Sequence, residues 1–167
     1  MKLVCVDNHV LIWGVREHAD NDQEVMIHRT KVFFEWCKSN KVMIMVPSIV
    51  VGELLTAIQP SHHAMVVNLL EAGFDIPSYD AKAAALFARL WREKKESGLV
   101  GKIQKEMQAT RQELKADCMI VATAIARNAE VIYSHDNKLK AFANGNIDVR
   151  EIPELQYQES LELEESS

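Results

Sequence analysis

Cysteine is scarce in this 167-residue chain: Cys5, Cys37 and Cys118 are the whole set, and no two form a C-x-x-C pair. An odd, scattered set excludes a disulfide framework and points to reduced thiols in a cytoplasmic protein. Glycine and proline are also few, six and four. No stretch gathers them with serine, so no interdomain linker is expected before about residue 152. Long apolar runs are missing too, and none approaches the roughly 18 residues of a membrane span. The opening Met1–Val6 meets Asp7-Asn8-His9 too soon for a signal peptide. There is no internal repeat. Neither G-x-G-x-x-G nor G-x-x-x-x-G-K-[ST] occurs, so a nucleotide cofactor would lack its phosphate cradle.

What is present is ordinary globular material, 48% apolar and 26% charged. A chain of this length buries about two thirds of its unfolded surface and needs no disulfide or structural zinc. The net charge of −5 is unevenly placed, because Glu151, Glu154, Glu159, Glu162, Glu164 and Glu165 fall in 151–167 with no Lys or Arg. Setting those six aside leaves 18 acidic against 19 basic residues, a net of +1. The body, 1–152, is expected to be one domain, with 153–167 an acidic tail. Near-neutrality of the body neither predicts nor forbids a nucleic-acid partner.

Short apolar runs alternate with longer helical patterns. Strands are expected at Lys2–Val6, Val42–Val46, Phe74–Ile76, Val131–Tyr133 and Ile147–Val149. The first two are almost continuously apolar, as in a parallel sheet covered on both faces. Helices are expected at about 22–39, 48–58, 62–72, 79–96, 103–113 and 113–129, with Ser48 placed to N-cap the second. The alternation predicts an α/β fold: a central, mostly parallel sheet of about five strands between layers of helices.

Four carboxylates sit where such a fold builds sites. Asp7 ends the first strand, and Asp136 follows Val131-Ile132-Tyr133 in Ser134-His135-Asp136. Ligands of open parallel sheets bind outside the carboxyl ends of the strands. Taken singly, such aspartates are ordinary turn formers or helix caps. Glu53 lies within the apolar helical stretch Ile49-Val50-Val51-Gly52-Glu53-Leu54-Leu55. Asp117 falls beside the stripe of Leu114, Cys118, Val121 and Ile125. A carboxylate facing a core costs several kcal/mol unless it is paired or binds metal. An ion pair or a half-wet rim position is the plain alternative for each.

The chain resembles the PIN-domain family, the nuclease fold of VapC-type toxins and of several RNA-processing enzymes. The resemblance rests on Val6-Asp7-Asn8-His9-Val10-Leu11-Ile12-Trp13, on Val46-Pro47-Ser48-Ile49-Val50-Val51-Gly52-Glu53-Leu54, and on a third block. That block, the most specific, is Ala116-Asp117-Cys118-Met119-Ile120-Val121-Ala122-Thr123-Ala124 followed by Val131-Ile132-Tyr133-Ser134-His135-Asp136. Many members carry Asn where this chain has His9, and the segment 94–110 is longer than usual. The resemblance covers about residues 2–152 and implies that Asp7, Glu53, Asp117 and Asp136 are the acids of a nuclease site. Ser134 matches the Ser/Thr that often precedes the last of them.

Four clustered carboxylates would repel by roughly 3 kcal/mol per close pair at an effective dielectric of 20, so they share protons or hold a cation. All-oxygen ligands favour Mg²⁺ or Mn²⁺. On this reading Asp7 and Asp117 ligate directly, Asp136 holds a second or weaker ion, and Glu53 orients the water or takes its proton. The implied reaction is hydrolysis of RNA to a 5′-phosphate and a 3′-hydroxyl. The implied partners are an RNA substrate, an antitoxin protein and further copies of the chain as a homodimer or larger oligomer. A toxin of a toxin–antitoxin pair is the leading expectation, ahead of a housekeeping RNA-processing enzyme. A non-catalytic RNA- or protein-binding module is the rival, and a phosphatase lacks its D-x-D pair. Ser134-His135-Asp136 spells a triad only in letters, since neighbours on a strand face opposite ways. His62-His63 reads as a solvated pair. The basic residues Arg92, Lys94, Lys95, Lys102, Lys105, Arg111 and Lys115, mixed with four Glu in 91–115, read as solvated helix faces or a phosphate-binding patch. The tail is expected to be a mobile polyanion that competes with RNA at low salt.

Overall fold

A computed structural model describes residues 2–156. The chain runs β1 (Leu3–Val6), α1 (Asn8–Gly14), α2 (Val25–Ser39), β2 (Met43–Met45), α3 (Ser48–Thr56) and α4 (His63–Gly73). It continues through α5 (Ala81–Glu96), α6 (Leu99–Met107), α7 (Arg111–Ala126), β3 (Val131–Tyr133), α8 (Asn137–Ala143) and β4 (Asp148–Arg150). The four strands form one sheet in the order β2-β1-β3-β4, every neighbouring pair parallel. Val4, Cys5 and Val6 are all buried although successive side chains point to opposite faces, so helices cover both sides, as the apolar runs predict.

The expected fifth strand is reduced to a single bridge. Asp75 pairs with Met45, its N–H donating to Ile44 and its carbonyl accepting from Val46. Pro77 follows at once and cannot donate to a ladder. Two helices had no counterpart in the sequence reading, α1 and α8. Each has seven residues, two turns and too few for a 3.6-residue period to register. Ser48 is already the first helical residue of α3, Pro47 stands at the cap position, and no side chain caps that end. The expected helix at 103–113 is displaced: α6 ends at Met107, and Gln108 takes a left-handed φ of 52°. Thr110 then opens α7 with a capping box, its Oγ1 accepting from Glu113 N–H while the Glu113 carboxylate accepts from Thr110 N–H. Apolar residues lie on nearly every side of α7, including Leu114, Cys118, Ile120, Val121 and Ala124, all buried. A helix apolar all round must be central.

Gly14, the last residue of α1, touches α2. A Cβ there would meet the Phe34 ring and stand 2.8 Å from Thr30 Cγ2. Gly14→Ala is therefore expected to cost about 1–3 kcal/mol by overpacking, read as a lower urea midpoint. An unchanged midpoint would mean that the Phe34 ring swings aside freely.

Beyond β4 the chain turns back over α2. Ile152 is buried, and its carbonyl accepts from Arg29. Leu155 packs partly on the core. Most of the acidic tail, 157–167, lies outside the described residues, and with it the expected competition with RNA.

Candidate functional site

β1 sits between β2 and β3, so the crossovers leave it in opposite directions. That is a topological switch point, and it opens a crevice at the carboxyl ends of β1 and β3. Asp7 leaves β1 into this crevice, and Ser134 and Asp136 leave β3 beside it. Glu53 enters from α3 and Asp117 from α7. All four acids line one cavity of about 160 Å³. Four separated chain segments converge there.

Local geometry explains the two strand-end aspartates. Each is a helix cap, as the plain reading held. Asp7 Oδ1 accepts from Val10 N–H at 3.3 Å, opening α1. Asp136 Oδ1 accepts from Lys138 N–H at 2.8 Å and Leu139 N–H at 3.4 Å, opening α8. Helices this short are marginal alone, and the caps together with buried Leu11, Trp13, Leu139 and Phe142 hold them. Capping uses one oxygen of each carboxylate. Ser134 links the two: its hydroxyl donates to Asp7 Oδ2 and accepts from Asp136 N–H at 3.0 Å. At 3% exposure this hydroxyl serves as a strut between the strand ends.

The alternative of ion pairing fails for the acids. Among the described residues none of Asp7, Glu53, Asp117 and Asp136 has a Lys, Arg or His partner in a salt bridge. Yet Asp7 is 5% and Asp117 9% exposed. Burial pushes the Asp117 carboxyl up to about 8, reinforced by the nearby carboxylates of Asp136, Glu53 and Asp7. Asp7 is also raised, chiefly by burial, with the Ser134 hydroxyl and Val10 N–H pulling the other way. Glu53 shifts upward through burial and then repulsion by Asp7. Such a set is electrostatically unsatisfied.

The donor chemistry fits a hard divalent cation. Asn8 also lines the cavity, and its side-chain oxygen is buried with no hydrogen-bond partner among the described residues, so every candidate donor except His9 is oxygen. The spacing is open: among the described residues no three acids, histidines or cysteines already stand close enough to form a metal cage. Mutual repulsion opposes closer approach of the carboxylates without an ion.

Three polar residues of the cavity were not singled out as site candidates in the sequence: Asn8, Glu113 and Lys138. Glu113 precedes Asp117 by four residues on α7, one helical turn, which is the signal that would have found it. Its carboxylate lies 3.5 Å from Lys138 Nζ. The Ser-His-Asp letters form no triad, because His135 Nε2 accepts from Ile152 N–H at 3.0 Å and its ring meets Trp13 edge-on. His63 is not merely solvated, since its Nε2 donates to Leu55 and Ile58 carbonyls at 3.0 and 2.8 Å. The basic residues of 91–115 are divided. Arg92 pairs with Glu96, Lys94 donates to the Asn144 carbonyl, and Arg111 and Lys115 lie over the Trp91 ring.

The family model described as the PIN domain matches residues 4–145. Among solved structures, VapBC2 from Rickettsia felis, bound to a DNA fragment from their promoter, superposes with a TM-score of 0.64 at 17% identity. That match covers 90% of this chain and 99% of that one. DNA-bound VapBC from Salmonella typhimurium gives 0.62 at 19% identity, covering 92% of this chain and 100% of that one. No curated protein matches the chain significantly by sequence.

Proposed function

This chain belongs to the PIN-domain family, and on that premise we propose that it is a metal-dependent endoribonuclease, the toxin of a toxin–antitoxin pair. The observation that carries the proposal is the convergence of four carboxylates on one cavity, two of them buried without a counter-charge. A nucleic-acid binding module would have no use for such a cluster, which repels phosphate.

Asp7 and Asp117 would hold a Mg²⁺ or Mn²⁺ ion, with Asp136 assisting or holding a second. Such an ion, when bound, offsets the acids, acidifies a water and screens the phosphodiester oxygens. Glu53, half-buried at the cavity wall, accepts the proton of the attacking water; burial and the Asp7 carboxylate raise its pKa and make it a stronger base than a free carboxylate. The water oxygen bonds to phosphorus, the bond to the 3′-oxygen breaks, and that oxygen takes a proton from solvent as Glu53 returns its own there, giving a 5′-phosphate and a 3′-hydroxyl. Ser134 is a positioning residue that keeps Asp7 Oδ2 in place. Lys138, which lines the cavity beside Glu113, would exchange that contact for the substrate backbone.

The VapBC structures support extending the proposal to an antitoxin protein as partner; we further propose a homodimer or larger homo-oligomer as the working form, in the cytoplasm. The test is cleavage of single-stranded RNA and of a simple phosphate monoester, each with Mn²⁺ and with EDTA. RNA cleavage confined to Mn²⁺ is expected. Monoester turnover alone would replace the nuclease with a phosphatase, and RNA binding without cleavage would replace it with a binding module.

A further inference from the structure

We propose that the cleft flanking the acid cavity is a nucleobase subsite, in which the base next to the scissile phosphate lies against His9 and Met107. The inference rests on the nuclease reading and adds where the substrate is gripped. The cleft encloses about 530 Å³, within the usual span of small-molecule sites. It shares His9, Asp136 and Lys138 with the acid cavity, so a strand lying in one continues directly into the other.

The two spaces differ in chemistry. The acid cavity is built for phosphate and metal, whereas the cleft carries π surface and a thioether. His9 is exposed, with its ring 5.9 Å from that of buried Trp13. Trp13 in turn meets His135 at 5.0 Å, nearly perpendicular. Because His135 is anchored by Ile152 N–H, this row of rings braces His9 from the core side. Met107, at the end of α6, is 37% exposed and lines the same cleft. An imidazole and a polarizable sulfur accept any planar base by stacking and dispersion. Gln23 and Asn137 add side-chain amides, which donate and accept as a base edge requires. Lys138 stands where the two spaces join, in position for the phosphate between them. Its contact with Glu113 in the free protein is one that a phosphate would displace.

The test uses the full chain and a short single-stranded RNA with one defined cut. Each nucleotide flanking the cut is replaced in turn by an abasic residue. In the wild type, removing the base on one side lowers kcat/KM about tenfold or more, the effect of losing one stacked base. In His9→Ala the same removal changes kcat/KM by less than about threefold, since the stacking partner is already gone. Equal losses in both proteins overturn the subsite. Should His9→Ala misfold, Met107→Ala takes its place in the comparison. A second measurement does not depend on cleavage: the Met107 methyl resonance is followed during titration with adenosine or uridine 5′-monophosphate, and with ribose 5-phosphate, without divalent metal. Shifts that need the base, and that His9→Ala abolishes, support the subsite even where no RNA is cut, and then the nuclease reading alone falls. Cleavage without base dependence or methyl shift overturns the subsite and leaves the nuclease standing.

Discussion

Asp7→Asn is expected to abolish Mn²⁺-dependent RNA cleavage while the chain folds as well as before, or slightly better. Asn is as good an N-cap as Asp. Its amide oxygen still accepts from Val10 N–H, and its other end can meet Ser134 Oγ, so the start of α1 keeps its partners. What disappears is one negative charge. Cleavage should fall by more than about 100-fold, because even groups that only orient metal ligands are worth about 10–100-fold. Melting in EDTA should hold or rise, since burial already disfavours the Asp7 carboxylate and Asp136 repels it. A melting temperature lower by many degrees would make Asp7 structural, and undiminished cleavage would take it out of the site.

The metal-free protein is expected to lose stability as pH rises from about 4 towards about 8, and Asp117 is the main reason. Its carboxyl is raised in the folded state from 3.8 to about 8, first by burial and then by its acidic neighbours. Below the lower value both states hold the proton and the residue contributes nothing to the pH dependence. Between the two values the unfolded chain has released the proton while the folded chain keeps it. Each pH unit then costs up to about 1.4 kcal/mol of stability. Asp7 and Glu53 shift the same way and steepen the fall. Urea titrations in EDTA should therefore give a higher midpoint near pH 5 than near pH 8, and Asp117→Asn should flatten the difference. Mn²⁺ at about 100 times its Kd should restore about 2.7 kcal/mol near pH 8. Calorimetry should find Mn²⁺ weaker on Asp117→Asn; equal affinity would remove Asp117 from the ligands. A flat profile in EDTA would mean that Asp117 ionises normally despite its burial.

Several features were legible because they depend on local residue order. The continuous apolarity of β1 and β2 announced strands covered on both faces. The long helices α2, α5 and α7 carried enough turns for their period to register. Asp117 drew notice as a charge beside an apolar stripe, and it is indeed buried. The misses were short or depended on distant contacts. α1 and α8 depend on a cap and a few buried side chains more than on pattern. The Phe74–Ile76 run looked like a strand, but Pro77 and a single bridge to Met45 leave it outside the sheet. Glu113 was read only as one charge of a mixed helical stretch, although it stands one turn before Asp117, and Lys138 was not singled out at all.

By itself the amino-acid sequence determined the α/β alternation, the parallel sheet and the identity of four acids at strand ends and on apolar helix faces. Those are matters of period and of the cost of burying charge, and both are written in residue order. Tertiary structure alone decided that the acids share one cavity, because the opposite crossovers from β1 bring residues 7, 53, 117 and 136 together. It also decided that Asp7 and Asp117 find no cation partner among the described residues, that Ser134 bridges Asp7 to Asp136, and that a π-lined cleft adjoins the site. Partner, burial and field are sums over neighbours distant in the chain, and only the packed fold fixes which neighbours those are.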